Sequence, residues 1–483
     1  MLDSKRSNQA TYLILIALIL CTLVFSSAIT GVGNYALDDA YIVEHSVKGI
    51  LINDESRFIK STPWEGVTSP VYVALVTSMS LVMPLQLAHW VVGVVSTLLL
   101  VSGWYLVFLR YSINPVASAV AVGTGIMAGM SFYQLNNGLE TGLAMAAATW
   151  TLLALDYDVT PRWGYILAGV QFFIRPELAA LSGIFFAIIL ARRSVGWKKG
   201  GIIALCSFAI PATFIFLLTG ALVSNTLSAK TYFFAEGCRP DALKLNFALS
   251  AVSSFIGSLG VFSIGFVFAI LSRQRVALIF FALIFFIAYY KIFPGALFHN
   301  YHRYLYLLLP IAIFGWAAYI GHKNRKISLS GYVLGAVASI FVVYSSGSAF
   351  RFYLEEVRVV SLDNLQMSHW VERHVPQGSV VMVHDAGKIS TVGEQPLVDL
   401  VGLKSAYSMA VHRQTTFKNC QRIPEAISNI AKNARASYMV VTADWDRIFG
   451  ISQSLEYAGW SVERADTERG NSIYRVYKIT YLN

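Results

Sequence analysis

Charge is scarce in this chain. Asp, Glu, Lys and Arg together make up 13% of its 483 residues, about half the share in an ordinary soluble domain, while 56% of the residues are hydrophobic. With a mean hydropathy of +0.57, the composition excludes a soluble globular protein and defines an integral membrane protein. Cysteine is nearly missing as well. The four cysteines show no CxxC or other metal-like spacing, so no ligand cluster for zinc, haem or iron–sulfur is visible. Cys21 and Cys206 fall inside apolar runs and act there as small hydrophobes. Cys238 and Cys420 lie outside such runs and can pair if both face an oxidising compartment and their geometry allows it. A basic block is absent too. The net charge is +10, but Lys and Arg are scattered over short loops, which argues against a nucleic-acid partner and for retention on the inner membrane face, anionic lipids or phosphate ligands. No internal repeat or low-complexity tract stands out.

What is present is a series of long apolar runs. The first, from Thr11 to about Thr30, has the length of roughly 20 residues that a bilayer crossing needs, and Lys5 and Arg6 before it place the N-terminus inside. Ser26-Ser27-Ala28 keeps a cleaved signal peptide open as an alternative to an anchor. Val71–Leu85 is marginal in length and is limited by Pro84. Treating it as re-entrant or surface-lying puts Arg110, Arg192-Arg193, Lys198-Lys199 and the His322–Lys326 cluster all inside. The remaining runs, 89–109, 115–134, 139–155, 163–174, 178–191, 201–223, 246–271, 276–293, 304–320 and 330–344, bring the total to about eleven spans, with the C-terminus outside. Trp163–Ile174 is short and is followed by Arg175-Pro176-Glu177, which reads as a broken helix with a polar joint at membrane depth. The predicted fold is therefore a polytopic α-helical membrane domain over 1–346, with a first outer loop at 31–69, and a soluble α/β domain over 347–483. Within that tail, 364–374 and 423–433 read as helices, and 379–383, 397–400, 438–442 and 472–479 as strands.

The first outer loop carries Asp38-Asp39, two adjacent carboxylates at a bilayer surface, where burial without purpose is costly. Capping a short helix over 39–49 would account for one of them and leave the other unexplained. The topology puts Glu140, Arg175, Glu177, Asn225, Lys230, His299, His302 and Arg303 on the same outer side. Such a set suits transfer of a group from a lipid phosphate: a carboxylate takes the proton of an acceptor hydroxyl while cations neutralise the phosphate leaving group. Arg175 and Arg303 offer bidentate forks and Lys230 a point charge for phosphate oxygens. Glu140, Glu177, Asn225, His299 and His302 are candidates to bind or orient substrate. Each residue has a plainer alternative: cations that snorkel to headgroups, glutamates that pair or cap, histidines that sit at the interface.

At these positions the sequence resembles the polytopic GT-C-type glycosyltransferases, in particular the branch with mycobacterial terminal arabinofuranosyltransferases. The resemblance is carried by Leu37-Asp38-Asp39-Ala40-Tyr41-Ile42, Thr68-Ser69-Pro70, Asn137-Gly138-Leu139-Glu140-Thr141, Arg175-Pro176-Glu177, Asn225-Thr226 with Ala229-Lys230, Arg303-Tyr304, and in the tail Asp385-Ala386-Gly387 and Val398-Asp399-Leu400-Val401-Gly402-Leu403. Asn136-Asn137 departs from the Thr-Ser-like pair expected before Gly-Leu-Glu. The resemblance implies transfer of a sugar, usually with inversion, from a polyprenyl-phosphate donor to a glycan, lipid or protein acceptor on the outer face of a bacterial cytoplasmic membrane. It implies Asp38 as general base, with Asp39 orienting the acceptor or holding a divalent cation; no cofactor is otherwise expected. Two other readings stay open: a transporter or flippase of lipid-linked glycans, for which the broken helix argues, and a non-catalytic envelope assembly protein. The tail is expected to be either a carbohydrate-binding module or a structural lid, with Asp385 and Asp399 as turn or strand-end residues.

Overall fold

The computed structural model describes residues 2–55, 57–193, 195–222, 225–235, 238–323, 329–469 and 472–482. Ser224, the side chains of Lys5 and Arg6, and most of the basic cluster that ends at Lys326 lie outside the described residues. The chain divides into two compact units. One comprises Met1–Gly33, Trp90–Phe214 and Ala242–Leu354; the other comprises Asn34–His89, Ile215–Asp241 and Glu355–Asn483. By its internal contacts the segment that holds the first outer loop falls in the same unit as the tail from Glu355 onward.

Among the described residues, six helices are long and apolar enough to cross a membrane: Asn8–Thr30, Leu85–Arg110, Trp197–Thr219, Asp241–Leu271, Arg275–Ile292 and Leu305–His322. The protein is a multi-pass helical membrane protein with an α/β domain at its C-terminus. Several expected spans are broken. The run over 115–134 is two helices, Pro115–Met127 and Ser131–Asn136, parted at Gly129, whose φ of 54° is a left-handed conformation suited to glycine. The α-helix that holds Trp163 ends at Val170, a 3-10 turn over Gln171–Phe173 follows, and helical structure restarts at Pro176. Arg175 between them is extended (φ −156°, ψ 134°), because the proline ring that follows disfavours helical geometry in the preceding residue. Pro70–Ser80 has 11 residues, or about 16 Å at the helical rise, roughly half the hydrocarbon thickness. Its start explains the Thr68-Ser69-Pro70 motif: Ser69 caps the helix by accepting from the Tyr72 N–H at 3.2 Å, and Pro70 occupies the first turn, where no N–H is needed.

In the other unit, five strands, β1 (Val380–Val383), β2 (Leu397–Asp399), β3 (Ala436–Thr442), β4 (Trp460–Arg464) and β5 (Tyr474–Tyr481), form one sheet in the order β2-β1-β3-β5-β4. β1 runs parallel to β2 and β3, while β5 is antiparallel to β3 and β4. β1 and β2 are apolar and largely buried, as befits the parallel part of a covered sheet. The sequence reading found the other four strands but missed β4 and the short helices Ala406–Gln414, Ala443–Phe449 and Ile451–Tyr457. The first outer loop extends this sheet: the Leu397 N–H donates to Arg57 O (2.6 Å), the Ile59 N–H donates to Leu397 O (2.9 Å), and Phe58 is fully buried in the core beneath. Lys404 and Glu55, both fully buried, close an ion pair at 2.9 Å beside His45. Asp399 tightens the turn after β2 by accepting the Val401 and Lys404 N–H groups at 2.8 and 2.7 Å, a turn role as expected.

Candidate active site

The helix Asp39–Ile52 begins at the carboxylate pair. Asp38 occupies its N-cap position, yet its side chain makes no capping bond. The carboxylate turns to the tail instead. Its Oδ1 accepts from Asn364 Nδ2 at 2.9 Å and from the Lys388 N–H at 2.7 Å, and its Oδ2 accepts from the Gly387 N–H at 2.7 Å. Capping therefore does not account for Asp38. Asp39 is the first helical residue, where a negative charge is favoured by the helix dipole, and its Oδ2 lies 3.8 Å from Lys230 Nζ. Lys230 comes from the helix Asn225–Phe234, whose first residue, Asn225, is half-buried; Thr226 Oγ1 there accepts from Thr68 Oγ1 at 3.1 Å.

Behind Asp38 stands a polar chain. Asn364 Nδ2 also donates to Tyr474 Oη (3.1 Å), Tyr474 Oη donates to Asp385 Oδ2 (2.7 Å), and His384 Nε2 lies 3.3 Å from the same oxygen. Asp38 is half-buried. Burial, then the negative charge of Asp385, push its carboxyl up to about 7, against the pull of the two backbone N–H groups. Asp385 is itself pushed up to about 6, chiefly by burial. His384 is pulled down to about 4 by burial and is neutral. Lys388, lowered by burial, places its ammonium 4.1 Å from the centre of the Tyr41 ring. Asp385 thus follows a strand, as expected, but also joins the polar cluster. Among the described residues no group of three or more His, Cys, Asp or Glu side chains is placed to hold a metal ion.

The membrane unit holds the other candidates. Arg175, 1% exposed, donates from Nη1 to Glu140 Oε1 (2.9 Å) and from Nη2 and Nε to the two oxygens of Glu177 (2.8 and 3.3 Å). Tyr289 Oη donates to Glu177 Oε1, and the Arg175 guanidinium lies 4.9 Å from the Tyr304 ring centre. The donors that the sequence offered to a phosphate are thus engaged with carboxylates. Buried Arg303 lies 5.2 Å from the same ring. It follows three left-handed residues, Asn300, Tyr301 and His302 (φ 49°, 55° and 65°), a costly run for side-chain-bearing residues. Gln134 Nε2 donates to the Asn300 and Tyr301 carbonyls (2.8 and 3.3 Å) and so holds that run in place. Asn137 in turn donates to Gln134 Oε1 (3.0 Å), which gives the departing Asn-Asn pair a structural task. His299 and His302 face aromatic rings: Tyr304 for the first, Phe298 and Phe255 for the second. The structure therefore groups Asp38, Asp39 and Lys230 in one unit, and Glu140, Arg175, Glu177 and Arg303 in the other. Sequence reasoning missed Asn364, Lys388 and Tyr474 in the first group and Gln134, Tyr289 and Tyr304 as partners in the second.

Comparison with solved structures gives the class of fold. ArnT from Cupriavidus metallidurans bound to undecaprenyl phosphate aligns with a TM-score of 0.57 over 96% of this chain and 97% of that one, at 10% identity. The same protein in the apo state aligns over the same shares at a TM-score of 0.54 and 10% identity. The arabinofuranosyltransferase AftD from Mycobacteria covers 99% of this chain and 42% of its own at 14% identity, with a TM-score of 0.49. The fold is like that of ArnT over nearly the whole of both chains, in keeping with the fold that the motif resemblance implies. More particularly, residues 351–477 match a family described as a domain of unknown function (DUF8728). No curated protein matches the chain by sequence.

Proposed function

We propose that the chain is a membrane glycosyltransferase that moves a sugar from a polyprenyl-phosphate donor to a glycan, lipid or protein acceptor on the outer face of the cytoplasmic membrane, with Asp38 as general base. The observation that carries this reading is the hydrogen bonding of Asp38. Three fixed donors occupy its carboxylate, two on Oδ1 and one on Oδ2, which leaves Oδ2 a lone pair for a proton. A carboxyl raised to about 7 matches the proton affinity that a general base needs near neutral pH. In the reaction, Asp38 Oδ2 takes the acceptor hydroxyl proton, the acceptor oxygen bonds to the anomeric carbon, and the carbon–oxygen bond to phosphate breaks. Polyprenyl phosphate leaves with the bonding pair. Lys230, beside Asp39, supplies positive charge for the phosphate. Arg175, engaged with Glu140 and Glu177, serves to hold those carboxylates.

Two further observations support the reading. The likeness of fold is to a protein whose structure contains undecaprenyl phosphate, a polyprenyl phosphate carrier. Cys238 and Cys420 form a disulfide, which persists on the oxidising side of a membrane and so favours an outer location for the tail. The test uses purified protein in nanodiscs, a panel of polyprenyl-phosphate sugars, and Asp38→Asn. Wild type is expected to release polyprenyl phosphate with one donor, and Asp38→Asn to lower kcat by at least about 100-fold. Equal turnover by the variant overturns the role of Asp38. Lipid translocation in proteoliposomes without sugar transfer overturns the enzyme reading in favour of transport.

A further inference from the structure

The tail motif Asp385-Ala386-Gly387 with Lys388 is too far along the chain to be read as part of the first outer loop, yet it supplies two of the three donors to Asp38. The approach is close enough to dictate a residue. A Cβ built on Gly387 would lie 2.0 Å from the Asp38 carbonyl oxygen and 2.6 Å from Asp38 Oδ2, so any side chain there forces the two backbones apart. The third donor, Asn364, is fully buried, and its own amide is oriented by Tyr474, which is anchored in turn on Asp385. Every atom that fixes the Asp38 carboxylate therefore comes from the tail.

We propose that the tail is the positioning half of the catalytic centre: the Gly387-Lys388 turn and Asn364 lock the Asp38 carboxylate so that one lone pair of Oδ2 is left for the acceptor proton. This rests on the reading of Asp38 as base. It gives the tail a task different from glycan binding and from that of a lid. Gly387 and Lys388 act through main-chain N–H groups, and Asn364 through its side-chain amide; none of them need touch substrate. Tyr474 and Asp385 hold Asn364 from behind. A loosened base loses near-attack geometry, and a misplacement of about 1 Å costs on the order of 100-fold in rate.

The experiment measures kcat and the KM for donor and acceptor in the full chain for Gly387→Ala, Asn364→Ala and Tyr474→Phe, with Asp38→Asn as reference. Correct folding of the tail is read from an intact Cys238–Cys420 disulfide by peptide mass. Positioning predicts that Gly387→Ala and Asn364→Ala lower kcat by about 100-fold, with both KM values within about threefold of wild type. Tyr474→Phe, which keeps the ring and removes only the bridging hydroxyl, falls between them and wild type. If the tail instead binds the acceptor glycan, the variants raise the acceptor KM and leave kcat unchanged, which overturns the proposal. If Asp38→Asn is inactive while Gly387→Ala and Asn364→Ala keep kcat within about threefold, the positioning role alone fails and the base reading stands. If Asp38→Asn turns over like wild type, the base reading falls and the positioning role falls with it.

Discussion

Replacing Lys404 by Met tests the ion pair that fastens the first outer loop to the tail. Lys404 Nζ lies 2.9 Å from Glu55 Oε2, and the two side chains are 0% and 2% exposed. Methionine preserves most of the volume of the stem but leaves Glu55 charged and unpaired in the interior, a loss of about 3–5 kcal/mol. For a unit of some 150–250 residues each kcal/mol lowers Tm by about 2–4 °C, so thermal unfolding in detergent should show a drop of roughly 6–20 °C at pH 8. Adding Glu55→Leu removes the stranded charge, and the double variant should recover most of that loss. A pH series adds a second check. In the wild type, His45 is pulled down from 6.5 to about 3 by burial first and by Lys404 next, so the unfolded chain binds this proton as pH falls through 6.5 and the folded chain does not. The wild type therefore loses about 1 kcal/mol between pH 8 and 5.5 through this group. Without Lys404, burial, Arg57 and Lys48 still hold His45 down, but the repulsion from Lys404 is gone and Glu55 remains 3.4 Å away, so the gap between wild type and variant narrows as the pH falls. A drop under 2 °C at pH 8, or a double variant as unstable as the single one, would refute the reasoning.

Two other outcomes follow from the same structure. Changing Cys238 and Cys420 to Ala removes a cross-link between residues 182 apart in sequence and should cost about 2–5 kcal/mol, seen as a lower Tm that dithiothreitol reproduces in the wild type and leaves unchanged in the variant. In the membrane unit, Glu140→Ala leaves Arg175 with Glu177 as its remaining ion-pair partner in that triad; the expected loss is about 3 kcal/mol, whereas the isosteric Glu140→Gln should keep the hydrogen bond and lose less, by thermal aggregation in detergent.

Much of the fold was legible because its signals are local. Apolar length announced the spans, Pro176 announced the break at Arg175, and short runs of β-branched and apolar residues announced β1, β2, β3 and β5. Trp460–Arg464 escaped because its alternation lasts only five residues, too short to stand out even though Gly459 (φ 86°) marks the turn before it. Asp38-Asp39 could be found because two carboxylates beside a membrane span demand an explanation. Their partners could not: Asn364 is separated from Asp38 by 326 residues and the Lys388 N–H by 350, and a main-chain donor leaves no mark in a sequence. Arg175 shows the complementary case. Its type suggested a phosphate ligand, but only the fold reveals that Glu140, 35 residues earlier, and Tyr289 share its surroundings. The division of units was hidden for the same reason, since Phe58 and Arg57 pair with a strand more than 300 residues downstream.

The bond from Tyr474 to Asn364 also sets a clock on synthesis. Asp38 leaves the ribosome well before Tyr474 of β5, and at about 5–20 residues per second the interval between them is roughly 20–90 s. For most of that time, until Asn364, Gly387, Lys388 and Leu397 are made, the first outer loop lacks the sheet edge it pairs with and Asp38 lacks its donors. A chain cut short before β5 carries all six of the described helices that are long and apolar enough to cross a membrane and still cannot complete the support behind its carboxylate.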